Sequence, residues 1–172
     1  MLWSENPMRT IVIEPLTKAA FASFGDVVET DGAALIGINQ GFAERVDALA
    51  RIDVADQGGR VNVSLFSANS RPLPIAIGMM ERHPLGSQLF YPLQNAPWLV
   101  LVCTNPVEPH GYRAFLASGL QGVNYARGVW HHPLLVMTDQ ERFIVVDRAG
   151  PGDNLEEVWL EQQPLLHLAP QN

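Results

Sequence analysis

Short apolar runs separated by turn residues make up most of the chain, and this pattern is typical of β-strands. The runs are rich in Val, Ile, Leu and Phe, and Gly, Pro or Asn residues separate them. Such runs predict strands, because β-branched and aromatic side chains suit a pleated sheet. They are "RTIVIEPL", "GDVVET", "RVNVSLFSA", "IAIGMMERH", "SQLFYPL", "WLVLVCT", "HPLLVMT" and "RFIVVDR". Many short strands with frequent turns predict a β-sandwich or a β-barrel.

Two segments have the pattern of helices instead. In "TKAAFASFG", Thr17 is a candidate N-cap and Gly25 a candidate C-terminal stop. In "GFAERVDALARID", Phe42, Val46 and Leu49 recur at helical spacing. The sequence therefore predicts a mainly β chain with a few short helices.

Length and composition favour a single domain that acts on a small molecule. The chain has 172 residues, of which 47% are hydrophobic and 17% charged, with no internal repeat, so one domain is expected over residues 1–172. No apolar run is long enough to span a bilayer. A formal net charge of −7 without basic clusters argues against nucleic acid or an anionic membrane as partner. A small-molecule substrate is the expected partner.

The cysteine content and the first residues favour the cytoplasm. Cys103 is the only cysteine, so an internal disulfide framework is excluded. The opening "MLWSENPMRT" has no basic region followed by an apolar segment, and no signal peptide is expected. We therefore expect a cytoplasmic protein.

The unusual stretch "QGVNYARGVWHHPLL", residues 121–135, places two of the chain's five histidines side by side. Upstream, the run that contains Glu81 and His83 ends at a Pro-Leu-Gly turn, and Gln88 lies early in the next run. Residues two apart on a strand share a face, so Glu81 and His83 are expected to point the same way. The glycines before His131 permit a tight turn that directs its side chain inward. These two segments form the candidate site.

The two segments resemble the paired metal-binding motifs of the cupin superfamily, whose members are small β-barrels. In "ERHPLGSQ", Glu81 stands at the first His position of the first motif, His83 at the second, and Gln88 at the Glu position. In "ARGVWH", His131 stands at the His position of the second motif, with Ala126 in place of proline. The resemblance implies a cupin-like β-barrel (double-stranded β-helix) in which these four side chains converge. Two of the four usual ligands are replaced.

A narrower resemblance covers most of the chain, from about residue 10 to about residue 148. "FGDVVE", "ERHPLGSQLFYPL", "RAFLASGLQGVNYARGVWHHPL" and "FIVVDR" are together similar to the ureidoglycolate lyase family, also called ureidoglycolate hydrolase. The resemblance implies release of urea from ureidoglycolate, leaving glyoxylate, in the breakdown of allantoin in purine metabolism. It also implies a homodimer and activity linked to a divalent metal, nickel among them.

Ureidoglycolate is a carbinolamide, HO–CH(COO⁻)–NH–CO–NH₂, and its elimination requires two proton transfers. A base must take the hydroxyl proton, and an acid must protonate the departing ureido nitrogen. Imidazole suits either transfer because its reference pKa of ~6.5 lies near working pH, which makes His83 and His131 candidate catalytic residues. Glu81 would raise the basicity of the imidazole beside it and fix its tautomer. His132, on the opposite face of its strand, is expected to support His131 or to pack.

The same side chains offer an alternative route through a metal ion. The candidate metal ligands are Glu81, His83, Gln88 and His131. Two imidazoles, a carboxylate and an amide oxygen suit a borderline ion such as Ni or Zn, although a neutral amide in place of an anion weakens the site. A metal there would hold the carboxylate and hydroxyl oxygens of the substrate and lower the hydroxyl pKa as a Lewis acid. The sequence leaves both routes open.

Four residues are candidate substrate contacts, and Gln88 is one of them. Asn124 and Tyr125 suit the ureido group, since an amide and a phenol match its donors and acceptors. Arg127 is a candidate for a bidentate pair with the substrate carboxylate. Each of these three has a plainer alternative: a turn asparagine, a core tyrosine and a solvated arginine.

Two other classes of function stay open. One is a different metal-dependent cupin enzyme that acts on a small hydroxy acid or sugar, such as a sugar isomerase or a dioxygenase. Full ligation by three histidines and a glutamate would favour it, and the candidate site lacks that set. The other is a non-catalytic cupin that binds a small molecule. Such regulators usually have a DNA-binding helical segment, and no basic helix-turn-helix pattern is visible.

Overall fold

Strands form most of the regular structure, as the sequence predicts. The structure is a computed structural model, and it describes residues 10–108 and 110–166. Within these ranges the strands are β1 (Thr10–Ile11), β2 (Ile13–Pro15), β3 (Gly25–Val28), β4 (Ile36–Ile38), β5 (Ala43–Arg45), β6 (Arg60–Ala68), β7 (Ile75–Ala76), β8 (Met79–Arg82), β9 (Gln88–Pro92), β10 (Trp98–Cys103), β11 (Tyr112–Ala117), β12 (Gly122–Tyr125), β13 (Trp130–His131), β14 (Leu135–Val136), β15 (Glu141–Ala149), β16 (Glu156–Trp159) and β17 (Leu165–Leu166). The helices are α1 (Lys18–Phe21) and 3-10 turns at Asn39–Gly41 and Asp56–Gly58.

Two sheets dominate the fold. The larger sheet has the order β16-β8-β13-β10-β11-β2, with β14 also paired to β10. The second sheet has the order β3-β12-β9-β15-β6, and two smaller sheets are β1-β17-β7 and β4-β5. The mainly β, cupin-like prediction is confirmed, although the pairings among the described residues do not close the two main sheets into one barrel.

The main core lies between the inner faces of these two sheets. Phe90 and Val145 of the second sheet belong to the same buried cluster as Trp98, Val100 and Phe115 of the larger sheet. The other face of β10 is covered too, by a second cluster that includes the short strands β7 and β17. A strand buried on both faces needs apolar residues at every position, which explains the unbroken run "WLVLVC". Among the described residues, no helix has the length and apolar character needed to cross a membrane.

The first predicted helix forms only over Lys18–Phe21, and Gly25 does not end it, because Gly25 is the first residue of β3. The second predicted helix does not form. Thr17 caps α1, because its side chain accepts a hydrogen bond from the backbone N–H of Ala20 at 3.1 Å. The second prediction, over residues 41–53, is wrong: this segment contains the strand β5 and irregular backbone. Phe42 is 90% exposed and Ala48 has a φ of +55°, so the segment has neither a buried apolar face nor helical backbone throughout.

Gly25 is required by the backbone where β3 pairs with β12. Its φ is +143°, and a methyl group there would overlap the backbone oxygen of Asn124. We expect Gly25→Ala to lower the free energy of unfolding by about 2 kcal/mol or more, because it adds both strain and a backbone clash. Gly37→Ala on β4 is the control, since nothing lies within 4 Å of an added methyl group there. Denaturant titration that gives both variants the same midpoint would contradict this account.

Candidate active site

Three of the predicted site residues come from the larger sheet, at one end of the main core. Glu81 on β8 pairs directly with His131 on β13, so their side chains share a face. His131 pairs on its other side with Val102, which belongs to the main core. Both side chains therefore face inward, and His83, two residues after Glu81, follows the end of β8.

The second sheet contributes Gln88 from the opposite side. Gln88 begins β9 and pairs with Tyr125 of β12. Phe90, two residues further along the same strand, lies in the main core, so Gln88 faces inward as well. The inner cluster comprises Glu81, His83, Gln88 and His131. It joins side chains from both main sheets at the end of the space between them.

The side chains of the inner cluster are in contact. The amide oxygen Oε1 of Gln88 lies 3.1 Å from Nε2 of His83 and 3.2 Å from Nε2 of His131. Nε2 of His131 also lies 3.5 Å from a carboxylate oxygen of Glu81. One nitrogen or oxygen from each of Glu81, His83 and His131 lies within 4.8 Å of the others. The residues that the sequence placed in one site thus lie together in the structure.

Backbone carbonyls fix the tautomer of both histidines. Nδ1 of His83 lies 2.8 Å from the carbonyl oxygen of Asn154, and Nδ1 of His131 lies 2.9 Å from that of Val129. Because a carbonyl oxygen only accepts hydrogen bonds, each Nδ1 holds a proton. In the neutral ring, the lone pair of each Nε2 then faces the centre of the cluster. Histidine ligands of metal ions in proteins are usually held in this way.

This arrangement directs several acceptors at one point. The Nε2 atoms of His83 and His131 face Oε1 of Gln88, and the Glu81 carboxylate lies beside them. Three changes relieve the repulsion: protons on the rings, a rotated Gln88 amide that donates to both rings, or a cation at the centre. Two imidazoles, a carboxylate and an amide oxygen are a donor set that fits a borderline divalent ion. The chemistry of the inner cluster is therefore compatible with a metal ion.

Glu81 remains ionised despite its surroundings. Burial alone would raise the pKa of its carboxyl group, but the hydrogen bond with His131 and the electrostatic effect of the neighbouring imidazoles outweigh it. The net effect places the pKa of Glu81 below its ordinary value. A carboxylate here would stabilise a cation bound at the inner cluster.

Tyr125 packs against the inner cluster. Its ring stacks on His131 with centroids 4.1 Å apart and an angle of 11° between the planes. Burial, with a smaller contribution from the charge of Glu81, raises the pKa of its phenol well above the usual range. Tyr125 thus keeps its proton at neutral pH and orients the His131 ring. This contact fits the core tyrosine alternative, and a direct substrate contact stays a prediction.

His132 lies behind the inner cluster. Its backbone N–H donates to the carbonyl of Leu101, a residue of the second buried cluster, and its Nδ1 lies 2.7 Å from the carbonyl of Pro133. Burial lowers the pKa of His132 to about 4, so the ring is neutral at pH 7. This placement gives His132 a packing or supporting position and does not bring it to the centre of the site.

Asn124 and Arg127 have other partners. The amide of Asn124 donates to the Asp26 carboxylate at 3.0 Å and to the carbonyl of Arg51 at 2.9 Å. Strand alternation turns Asn124 to the face opposite Tyr125, away from the inner cluster. The guanidinium of Arg127 binds Asp56 at 2.5 Å. These contacts engage the amide nitrogen of Asn124 and the guanidinium of Arg127, and a direct substrate contact by either residue stays a prediction.

Asn154 is the site residue that sequence reasoning missed. Its backbone carbonyl orients His83, and its side-chain oxygen accepts a hydrogen bond from the backbone N–H of Leu85 at 2.8 Å. It therefore fixes both ends of the turn that follows β8. A carbonyl is common to all residues, and 71 positions separate Asn154 from His83, so no local pattern indicates this contact.

Comparison with known proteins gives one consistent result. A family model described as ureidoglycolate lyase matches residues 8–167. The ureidoglycolate lyase of Burkholderia mallei (strain NCTC 10229) is 53% identical over 166 residues, which cover 92% of this chain and 98% of that one. The ureidoglycolate lyase of Pseudomonas syringae pv. tomato is 50% identical, over 95% of this chain and 97% of its own. That of Brucella anthropi is 55% identical, over 88% and 90%. The family match includes every residue of the inner cluster.

Proposed function

Because the chain belongs to the ureidoglycolate lyase family, we propose that it eliminates urea from ureidoglycolate at the inner cluster and leaves glyoxylate. The observation that carries the proposal is the convergence of two imidazole Nε2 atoms and the Glu81 carboxylate within 4.8 Å at the end of the core. The pathway that this reaction serves is the degradation of allantoin.

The elimination breaks one bond and moves one proton overall. The carbinol hydroxyl loses its proton as its C–O bond becomes the carbonyl of glyoxylate. The C–N bond to the ureido group breaks, and that nitrogen takes up a proton to give urea. A base and an acid on either side of the carbinol carbon are sufficient for both transfers.

We assign these roles by the distance of each ring from Glu81. We give the acid role to His131, because its Nε2 lies 3.5 Å from the Glu81 carboxylate, which is a close partner for the ring that delivers a proton to the ureido nitrogen. His83 offers its Nε2 lone pair, because the Asn154 carbonyl holds the proton of the neutral ring on Nδ1. His83 is thus the better base for the hydroxyl. Gln88, which contacts both rings, holds them in place or binds the substrate.

The same residues would hold a divalent ion, with Ni or Zn as the best fit to the donor set. The ligands would be Glu81, His83, Gln88 and His131, and when bound the ion would supply Lewis-acid stabilisation of negative charge on oxygen. The backbone carbonyls of Asn154 and Val129 would keep both Nε2 atoms directed at it. Behind them, His132 supports the strand that carries His131.

The products of the reaction test the proposal. Purified protein is incubated with racemic ureidoglycolate, and urea, glyoxylate and ammonia are quantified. We expect urea and glyoxylate in equal amounts and no ammonia. Because a protein site is chiral, we expect no more than half of the racemic substrate to be consumed. Release of ammonia would mean hydrolysis of the ureido group instead, and no urea above the uncatalysed rate with any of Ni, Zn or Mn added would contradict the proposal.

We propose that the chain forms a homodimer and that residues 1–172 are one domain. β6 is an edge strand of the second sheet, and Val61, Val63 and Leu65 on it are 53%, 62% and 60% exposed. Exposed apolar edges of this kind are usually covered by a partner. Light scattering at micromolar concentration is expected to give twice the chain mass, and Val63→Lys is expected to shift it toward the monomer. A monomer mass for the wild type would contradict the dimer.

We propose a cytoplasmic location, and the single cysteine supports it. Cys103 is buried, and burial raises the pKa of its thiol to about 12, so it stays a packed, unreactive thiol. One unpaired thiol is typical of a reducing compartment. Cell fractionation that recovers the protein outside the cytoplasm would contradict this inference.

A further inference from the structure

A row of polar side chains continues from the inner cluster across the inner face of the second sheet. β15 pairs with β9 from Phe143 opposite Pro92 to Val146 opposite Leu89. One residue further, Asp147 takes the position next to Gln88. Val145 is in the main core and lies two residues before Asp147, so Asp147 faces the same side as Gln88.

The next strand extends this row. Asn62 on β6 pairs directly with Asp147, and its amide donates a hydrogen bond to Oδ1 of Asp147 at 2.9 Å. Within residues 10–108 and 110–166, Oδ2 of Asp147 and the amide oxygen of Asn62 have no hydrogen-bond partner. The pair therefore presents two hydrogen-bond acceptors in fixed positions beside the inner cluster.

Burial decreases along the row, as expected at the entrance of a site. Val145 is fully buried, Asp147 is half-buried and Asn62 is exposed. A substrate whose reacting carbon lies at the inner cluster can extend one of its polar groups along this row toward the solvent. A carboxylate at that point repels an anionic group and attracts N–H donors.

The ureido group is the part of ureidoglycolate that matches these acceptors. It has three N–H hydrogens, and the carboxylate of the substrate has none. We propose that Asp147, held by Asn62, binds the N–H groups of the ureido end and sets the specificity of the site for ureido substrates. This inference rests on the function proposed above and deepens it, because it names the residue that selects the leaving group.

Asp147→Asn tests the contact most directly. It keeps the shape and the hydrogen bond with Asn62 but replaces Oδ2 with an N–H₂ group that cannot accept. We expect KM for ureidoglycolate to rise about tenfold while kcat changes by less than about threefold, the pattern of a lost binding contact away from the reacting carbon. Asn62→Ala is expected to raise KM by a smaller factor, because Asp147 itself remains.

Two inhibitors separate recognition of the ureido end from general damage. Oxalurate has a ureido group and a carboxylate, whereas oxamate has the carboxylate without the ureido group. Asp147→Asn is expected to weaken oxalurate about tenfold and to leave oxamate within about twofold of the wild type. Equal loss for both inhibitors, or wild-type KM and oxalurate inhibition, would overturn the proposal.

Asp139→Asn is the matched control. Asp139, like Asp147, accepts a hydrogen bond from a neighbouring side chain, that of Ser70, but it is exposed and lies before the opposite end of β15. The strand from Glu141 to Asp147, at about 3.4 Å per residue, alone spans about 20 Å between the two ends. The KM and oxalurate inhibition of Asp139→Asn should equal those of the wild type. Calorimetric titration of the wild type and Asp147→Asn with oxalurate measures binding without turnover, so it tests the inference by itself. A wild type that releases no urea would count against the lyase function alone.

Discussion

Replacing His83 with alanine is expected to lower the turnover number for urea release by about 100-fold or more. The Nε2 lone pair of His83 faces the centre of the inner cluster because its Nδ1 proton is held by the carbonyl of Asn154. Alanine removes either the base that takes the hydroxyl proton or a ligand of the metal ion. His110→Ala is the control, since His110 is an exposed histidine outside the site.

The change in affinity and a chelator distinguish the two roles of His83. If His83 is mainly a proton carrier, KM for ureidoglycolate changes less than kcat, and the wild type keeps its activity in EDTA. If it anchors a metal ion, substrate affinity falls further, and the wild type loses activity in EDTA and recovers it with added divalent ion. Wild-type turnover in His83→Ala would remove His83 from both routes.

Replacing Glu81 with glutamine is expected to have a loss of similar size, about 100-fold. The change keeps the shape of the side chain and removes a charge whose pKa the neighbouring histidines hold below its ordinary value. Without that charge, His131 loses its carboxylate partner at 3.5 Å, and a metal ion would lose its only anionic ligand in the inner cluster. Both routes therefore predict the loss.

Steady-state assay of Glu81→Gln beside Glu44→Gln measures this effect. Glu44 is exposed and lies on the hairpin of β4 and β5, which is a sheet separate from the two main ones. Its replacement should leave the rate unchanged. A rate for Glu81→Gln within about threefold of the wild type, a barrier change below ~0.7 kcal/mol, would remove the carboxylate from the mechanism.

Strand alternation within one segment was enough to predict half of the inner cluster. Glu81 and His83 are two residues apart at the end of one strand, and local geometry alone places them on one face. Gln88 and His131 reach the same point through pairings between strands distant in sequence. The sequence does not show that register, and only the resemblance to known motifs indicated it.

The failed helix prediction has a physical cause in the structure. The helical spacing of Phe42, Val46 and Leu49 was real, but Phe42 is 90% exposed and the positive φ at Ala48 interrupts the helix. The guanidinium of Arg127, a candidate ligand of the substrate carboxylate, binds Asp56, which lies 71 residues away. A local sequence pattern does not contain such a distant partner.

The rate of urea release by the double variant Glu81→Gln, His83→Ala tests the central claim most directly, because residues that act as one catalytic unit lose activity together. Measured beside the wild type and both single variants with ureidoglycolate in excess, the double variant is expected to be about as slow as the slower single variant, not slower by the product of the two losses. A double variant that retains more than about a third of the wild-type rate would contradict the account, since the elimination would then take place outside the inner cluster.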